Sequence, residues 1–190
     1  MTNTNYDPLR FSTIAHSNHR YLSPLSQNKA HELLRSFVAN FSADDIVLDA
    51  GCGKAALLRD VLHLSPARGV GVDINQSFLD EARAAFQQDS PNDSRLSLIN
   101  APLLEHTRPE DGYAAILCVG STHAFGSFEE CLRVAFDWLK PEMFPQQWEV
   151  IATADRAHCG TALAQRFEVT SRRKPLADRL RNGRLVGLLD

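Results

Sequence analysis

Asp49-Ala50-Gly51-Cys52-Gly53, directly after the apolar run Ile46-Val47-Leu48, is the group of residues best placed to do chemistry. Glycines that follow a strand let the backbone turn sharply and let a ligand approach without meeting a Cβ. The acidic residue two positions before the first glycine puts a carboxylate at the strand tip. A second tip of this kind is Asp73, 24 residues after Asp49 and at the end of Gly69-Val70-Gly71-Val72. A carboxylate there can accept both hydroxyls of a ribose, which points to a nucleoside-bearing ligand. Ile74 beside it offers an apolar wall to the base.

The elements needed to hold these tips are legible in the periodicity. Residues 1–23 read as a polar, loop-like segment. A helix is predicted after Ser23 as N-cap with Pro24 in its first turn, carried by Ala30, Leu33, Leu34, Phe37, Val38 and Phe41. Short apolar strands are predicted at 46–50, 69–73, 96–100 and 113–119. Helices are predicted at 55–64, 77–88 and 128–139. Short strands of this kind, separated by helices, are parallel strands buried on both faces and joined by βαβ crossovers. The expected fold is α/β, an open doubly wound, mostly parallel sheet, with the ligand outside the carboxyl ends of the strands.

The segment Val47-Leu48-Asp49-Ala50-Gly51-Cys52-Gly53-Lys54 closely resembles the first motif of the class I S-adenosylmethionine-dependent methyltransferases. That motif is an acidic residue, any residue, then Gly-x-Gly, often with cysteine between the glycines. A third glycine is common two positions on, where this chain has Ala55. The resemblance implies a Rossmann-like methyltransferase fold with S-adenosyl-L-methionine as cofactor. It implies cofactor contacts from Asp49, Ala50, Gly51, Cys52 and Gly53, from Asp73 to the ribose, and from Ile74 to the adenine. Asn100 or Ala101, after the third strand, would stand near the adenine amino group. Cys118, Val119 and Gly120, after the fourth, would line the cofactor. This last segment is similar to that of small-molecule methyltransferases and lacks the Asn/Asp-Pro-Pro-aromatic signature of methylases acting on base amines. The implied acceptor is a small molecule, methylated on O, N or C.

Gly51-Cys52-Gly53-Lys54-Ala55-Ala56 also satisfies G-x-G-x-x-G/A, which makes a nicotinamide-dependent oxidoreductase the alternative enzyme class. That fingerprint sets a pyrophosphate on a helix N-terminus. Asp49 would face the pyrophosphate charge, and it suits better a ligand with no phosphate and a cationic amino-acid end. A catalytically impaired, methyltransferase-like binding protein is the other alternative.

Methyl transfer from a sulfonium is an in-line displacement whose main demand is positioning. It needs a base only when the acceptor must lose a proton. His123, after the fourth strand, is the candidate catalytic residue, against a role in ordering its loop. His16 and Tyr21, in an aromatic and hydroxyl-rich segment before the first helix, are candidate substrate contacts within an N-terminal cap. The seven histidines show no H-x-x-x-H spacing, and the four cysteines (Cys52, Cys118, Cys131, Cys159) form no C-x-x-C pair. No metal site is expected, and the thiols are expected to be free, in a reducing cytoplasm.

The chain of 190 residues is expected to form one domain, divided into a cap and first helix (1–41), a cofactor-binding core (42–140) and an atypical C-terminal segment (141–190). Neither a secretory signal nor a membrane-spanning run is read in it. Residues 1–155 carry 12 Lys+Arg against 20 Asp+Glu, an acidic body that argues against a nucleic-acid partner. Residues 156–190 reverse this, with 8 against 3. After Lys140-Pro141 the glycines of the family's turn are missing. A fifth strand is predicted at 148–154, a helix near 161–167, and weak strands at 167–170 and 185–189. The last strands are expected to be atypical or incomplete, the tail loosely packed and activity doubtful.

Overall fold

The computed structural model describes residues 8–23, 25–140, 149–154, 163–168 and 185–187. Five strands run parallel: β1 (Ile46–Ala50), β2 (Arg68–Asp73), β3 (Leu96–Asn100), β4 (Ala115–Val119) and β5 (Glu149–Ala154). Two more, β6 (Leu163–Glu168) and β7 (Leu185–Gly187), extend the sheet antiparallel. The order across the sheet is β3-β2-β1-β4-β5-β6-β7. It reverses direction between β1 and β4, and a crevice at such a switch point is where ligands bind in open α/β sheets.

Alternation along the central strands explains the layers. Val47 and Leu117 point into a cluster with Leu34 and Phe37 of α2 (Gln27–Phe37), Leu58 and Val61 of α3 (Ala56–Leu64), and Leu79 of α4 (Gln76–Asp89). Their neighbours Leu48, Ile116 and Cys118 point the other way, against Cys131, Leu132 and Val134 of α5 (Phe128–Trp138). Burial on both faces is why these strands read as continuous apolar runs.

The elements differ from expectation in three places. Residues 1–23 are not all loop, because α1 (Pro8–Ala15) is helical. Its apolar side chains Phe11 and Ile14 are exposed, so it shows no buried stripe for a periodicity to reveal. The next helix is capped by the Ser26 side chain, which accepts from the Lys29 N–H. It ends at Phe37, and Phe41 lies beyond it with its ring edge-on to Phe37. The segment expected as a helix near 161–167 is instead β6, paired along its length with β5. β5 and β7 lie where strands were expected. The remaining tail, including Trp148, Cys159 and the expected strand end at 169–170, lies outside the described residues, as do Pro24 and Pro141. The expectation of a loosely packed tail falls mostly there.

Candidate active site

The carboxyl ends of β1, β2 and β4 are bonded to one another. The backbone N–H groups of Gly51 and Cys52 both donate to the Val72 carbonyl, at 2.9 and 3.1 Å. Asp73 takes the Gly53 N–H on Oδ2 and the Asn75 N–H on Oδ1, each at 2.8 Å. From β4, the Ser121 hydroxyl donates to the Ala50 carbonyl. Gly51 has φ +69°, and a Cβ there would lie 2.4 Å from the Ser121 Cβ. The glycine is therefore required twice, by its left-handed backbone and by the serine pressed against it. Ala55 also adopts a left-handed conformation, φ +50°, so the turn asks for glycine at the position where the family motif often has one.

The electrostatics centre on Asp49. Its carboxyl is buried, 4% exposed, and burial pushes its pKa up to about 7. The nearby charge of Asp73 adds to the rise, and the backbone N–H of Leu58 opposes it. The Cys52 thiol is held protonated by burial first, then by the charges of Asp49 and Asp73. On the far face, the Cys131 thiol lies 3.7 Å from that of Cys118, which also contacts the Ser121 hydroxyl at 3.5 Å.

The strand tips floor a cavity of about 500 Å³. Gly51, Asp73, Ile74, Ala101, Val119, Gly120 and His123 line it from the sheet side; Leu9, Ser12, His16 and Leu22 line it from the N-terminal segment. A smaller space of about 40 Å³, sharing Gly51, Leu22 and Val119 with the cavity, is bounded by Asp49, Cys52 and Tyr21. The N-terminal segment is tied down over both. Lys54 Nζ donates to the carbonyls of His16 and Ser17, each at 2.9 Å, and pairs with Glu81 at 2.7 Å. Asn75 donates to the Thr13 hydroxyl at 2.9 Å, while Tyr21 and Arg20 both donate to the buried carboxylate of Asp60.

Most sequence-predicted residues are thus brought together, with exceptions. Gly53 hangs on Asp73 through its N–H, faces Leu22 and lines neither space. Cys118 is fully buried, and its thiol packs on Cys131 of α5 rather than lining the cavity. Asn100 is exposed, and its amide donates to the Asp73 carbonyl at 3.1 Å, so of the two candidates after β3 only Ala101 lines the cavity. Ala50 is wholly buried and presents its carbonyl to Ser121. Tyr21 spends its hydroxyl on Asp60 and borders the smaller space rather than the cavity of about 500 Å³. Sequence reasoning missed Ser121, Lys54 and Asn75. Asn75 could have been found, because an asparagine directly before a helical pattern is an N-cap signal, and its side chain accepts from Ser77 and Phe78.

The model of the methyltransferase domain family matches residues 47–142, about half of the chain. The chain belongs to that family. No curated protein matches this methyltransferase domain as a relative. Among solved structures it is similar to YjhP from E. coli (22% identity, TM-score 0.65, covering 80% of this chain and 59% of that one). It is also similar to a SAM-dependent methyltransferase from Geobacter sulfurreducens in complex with S-adenosyl-L-homocysteine (21% identity, TM-score 0.64, covering 76% and 55%). A third, from Thiobacillus denitrificans and also in complex with S-adenosyl-L-homocysteine, has 19% identity and TM-score 0.64, again covering 76% and 55%. Likeness at these identities concerns the fold. The methyltransferase domain spans less than two thirds of each of these chains.

Proposed function

We propose that this chain transfers the methyl group of S-adenosyl-L-methionine to a small-molecule acceptor. The observation that carries the reading is the cavity at the tips of β1, β2 and β4, with the Asp73 carboxylate on its wall and no lysine or arginine among its described lining residues. A nucleoside ribose can meet Asp73, whose oxygens keep lone pairs beyond the two backbone N–H bonds they accept. Ile74 and Leu103 offer the adenine apolar contact. The zwitterionic amino-acid end of the cofactor suits the smaller space, where Asp49 can meet its ammonium and Arg20 and Lys54 also stand on the wall. A dinucleotide would instead bring a pyrophosphate towards two carboxyl groups.

In this reading Gly51 and Cys52 shape the cofactor floor, Gly53 holds their turn to Asp73, Ala101, Val119 and Gly120 border the floor, and Ser121 fixes the β1 tip. The bound cofactor supplies an electrophilic methyl on a sulfonium. The protein's task is to exclude water and hold an acceptor in line with that methyl. The acceptor enters between His123 on one side and His16 on the other. Residues 1–41 act as cap and first helix, 42–140 as cofactor-binding core, and 141–190 as an atypical C-terminal segment of the same domain.

Calorimetric titration with S-adenosylhomocysteine and with NADH tests the reading. Binding of S-adenosylhomocysteine alone supports it, and binding of NADH alone replaces it with the oxidoreductase. Transfer of a labelled methyl group into a small-molecule extract then separates an active enzyme from a protein that only binds.

A further inference from the structure

Three histidines stand near the cavity, and the structure distinguishes them by what holds each ring. His106 uses both nitrogens, one on the Leu103 carbonyl at 2.6 Å and the other on the Tyr113 hydroxyl at 2.7 Å, so it has none to offer. His123 is exposed, with no side-chain hydrogen bond among the described residues to fix it. His16 is held on one side only. Its Nδ1 meets the Ser12 carbonyl at 2.9 Å. A carbonyl has no proton to give, so Nδ1 carries the hydrogen and the neutral ring keeps its lone pair on Nε2. Among the described residues Nε2 has no hydrogen-bond partner, and His16 lines the cavity. The ring packs edge-on to His19, with centroids 5.8 Å apart, and to Phe78, another lining residue, at 6.5 Å. Its backbone is fixed twice, by its own N–H on Ser12 and by Lys54 on its carbonyl.

An imidazole with one nitrogen anchored on a fixed acceptor and the other without a partner among the described residues, on a ring that lines a binding cavity, has the arrangement of a general base. We propose that His16, not His123, is the base of the methyl transfer, and that the acceptor is a neutral O–H or N–H compound. The proposal rests on the cofactor reading above. The proton of the acceptor passes to His16 Nε2 as the acceptor lone pair forms the bond to the methyl carbon. The bond from methyl to sulfur breaks, and its electron pair returns to sulfur to leave a neutral thioether. His16, now imidazolium, releases its proton to solvent. Lys54 is a positioning residue in this scheme, because it holds the His16 backbone from the turn that follows the glycines.

Two probes test this without a known acceptor. S-adenosylhomocysteine has nothing where the methyl group stood, whereas sinefungin carries an amine there, which can donate to a base poised at that point. Calorimetry is run with both on the full chain, on His16→Ala, on His16→Gln and on His123→Ala. The expected result is that His16→Ala weakens sinefungin about tenfold or more, as for loss of a charged hydrogen bond. S-adenosylhomocysteine affinity stays within about twofold of the parent in that variant. His16→Gln, whose amide oxygen can accept, restores part of the loss, and His123→Ala leaves the ratio of the two affinities unchanged. Equal loss of both ligands in His16→Ala reduces His16 to a cap residue and overturns the proposal, as does a selective loss in His123→Ala. Nitrogen-15 spectra of the imidazoles give a readout independent of ligand. A His16 ring protonated on Nε2 and bare on Nδ1 also overturns it. If the parent binds neither ligand, the cofactor reading itself has failed, an outcome distinct from these.

Discussion

The backbone N–H of Gly53 donates to the Asp73 carboxylate at 2.8 Å, so the turn after β1 hangs from the tip of β2. The same carboxylate holds the Asn75 N–H, and Asn75 in turn caps α4 and bonds the cap through Thr13. Asp73→Ala is expected to cost about 1–3 kcal/mol of stability, because two backbone donors lose a charged partner. It is also expected to weaken S-adenosylhomocysteine roughly tenfold or more. Urea denaturation and calorimetry on the same sample separate the two effects. A stability loss with unchanged affinity would leave Asp73 as a brace only.

Gly51→Ala should destabilise the domain by roughly 2 kcal/mol or more, through the left-handed backbone and the clash with Ser121. Ser121→Gly removes the clash together with the hydroxyl's bond to the Ala50 carbonyl, and leaves the left-handed backbone of Gly51 in place. In a double-mutant cycle read by thermal denaturation, the pair should be less damaging than the sum of the singles. Strict additivity would show that the serine is not what reserves position 51 for glycine.

The raised pKa of Asp49 makes the ligand-free protein sensitive to pH. The folded state holds this proton more tightly than the unfolded state, where the ordinary value of 3.8 applies. Its contribution to stability is therefore complete below about pH 3.8 and is lost as pH rises through about 7. The loss is on the order of 4 kcal/mol at most. Asp49→Asn should flatten the fall in stability between these limits relative to the parent. A cationic ligand group beside Asp49 would expel the proton, so the heat of binding near neutrality should vary with the ionisation enthalpy of the buffer. Parallel stability curves for parent and variant would contradict the assignment.

Lys54→Met keeps the stem of the side chain and removes its bonds to the His16 and Ser17 carbonyls. Trypsin should then cut faster after Arg20, whose side chain is already 42% exposed in the parent, while the sheet survives by circular dichroism. An unchanged digestion rate would mean that the Asp60 and Asn75 ties hold the cap without the lysine.

The central sheet was readable because Val47, Leu48, Ile116 and Leu117 are buried on opposite faces, and burial of that kind writes an unbroken apolar run. The turn was readable because Gly51 and Gly53 need conformations few residues tolerate. Ala55 stood out as a missing glycine, and its φ of +50° shows the backbone still takes the shape the motif demands. The segment α1 was not readable, since Phe11 and Ile14 lie outward and the helix is held by side chains distant in sequence. β6 was misread because strand identity there comes from pairing with β5, a tertiary fact that local pattern does not carry. Ser121 gave no signal, as its meaning depends on Gly51, which meets it only once β1 and β4 pair.

Each side-chain tie of the cap spans a long stretch of chain: 62 residues from Thr13 to Asn75, 39 from Tyr21 to Asp60, and 38 from His16 to Lys54. Contacts that distant form only after the sheet has brought their partners into place, and they can break without disturbing it. Among the described residues, 8–23 are then expected to fold last and to open first. Amide hydrogen exchange should find backbone protons in residues 8–23 exchanging through a local opening while those of β1 and β4 wait for global unfolding. Traffic into and out of the cavity would follow the slower clock of that opening rather than diffusion.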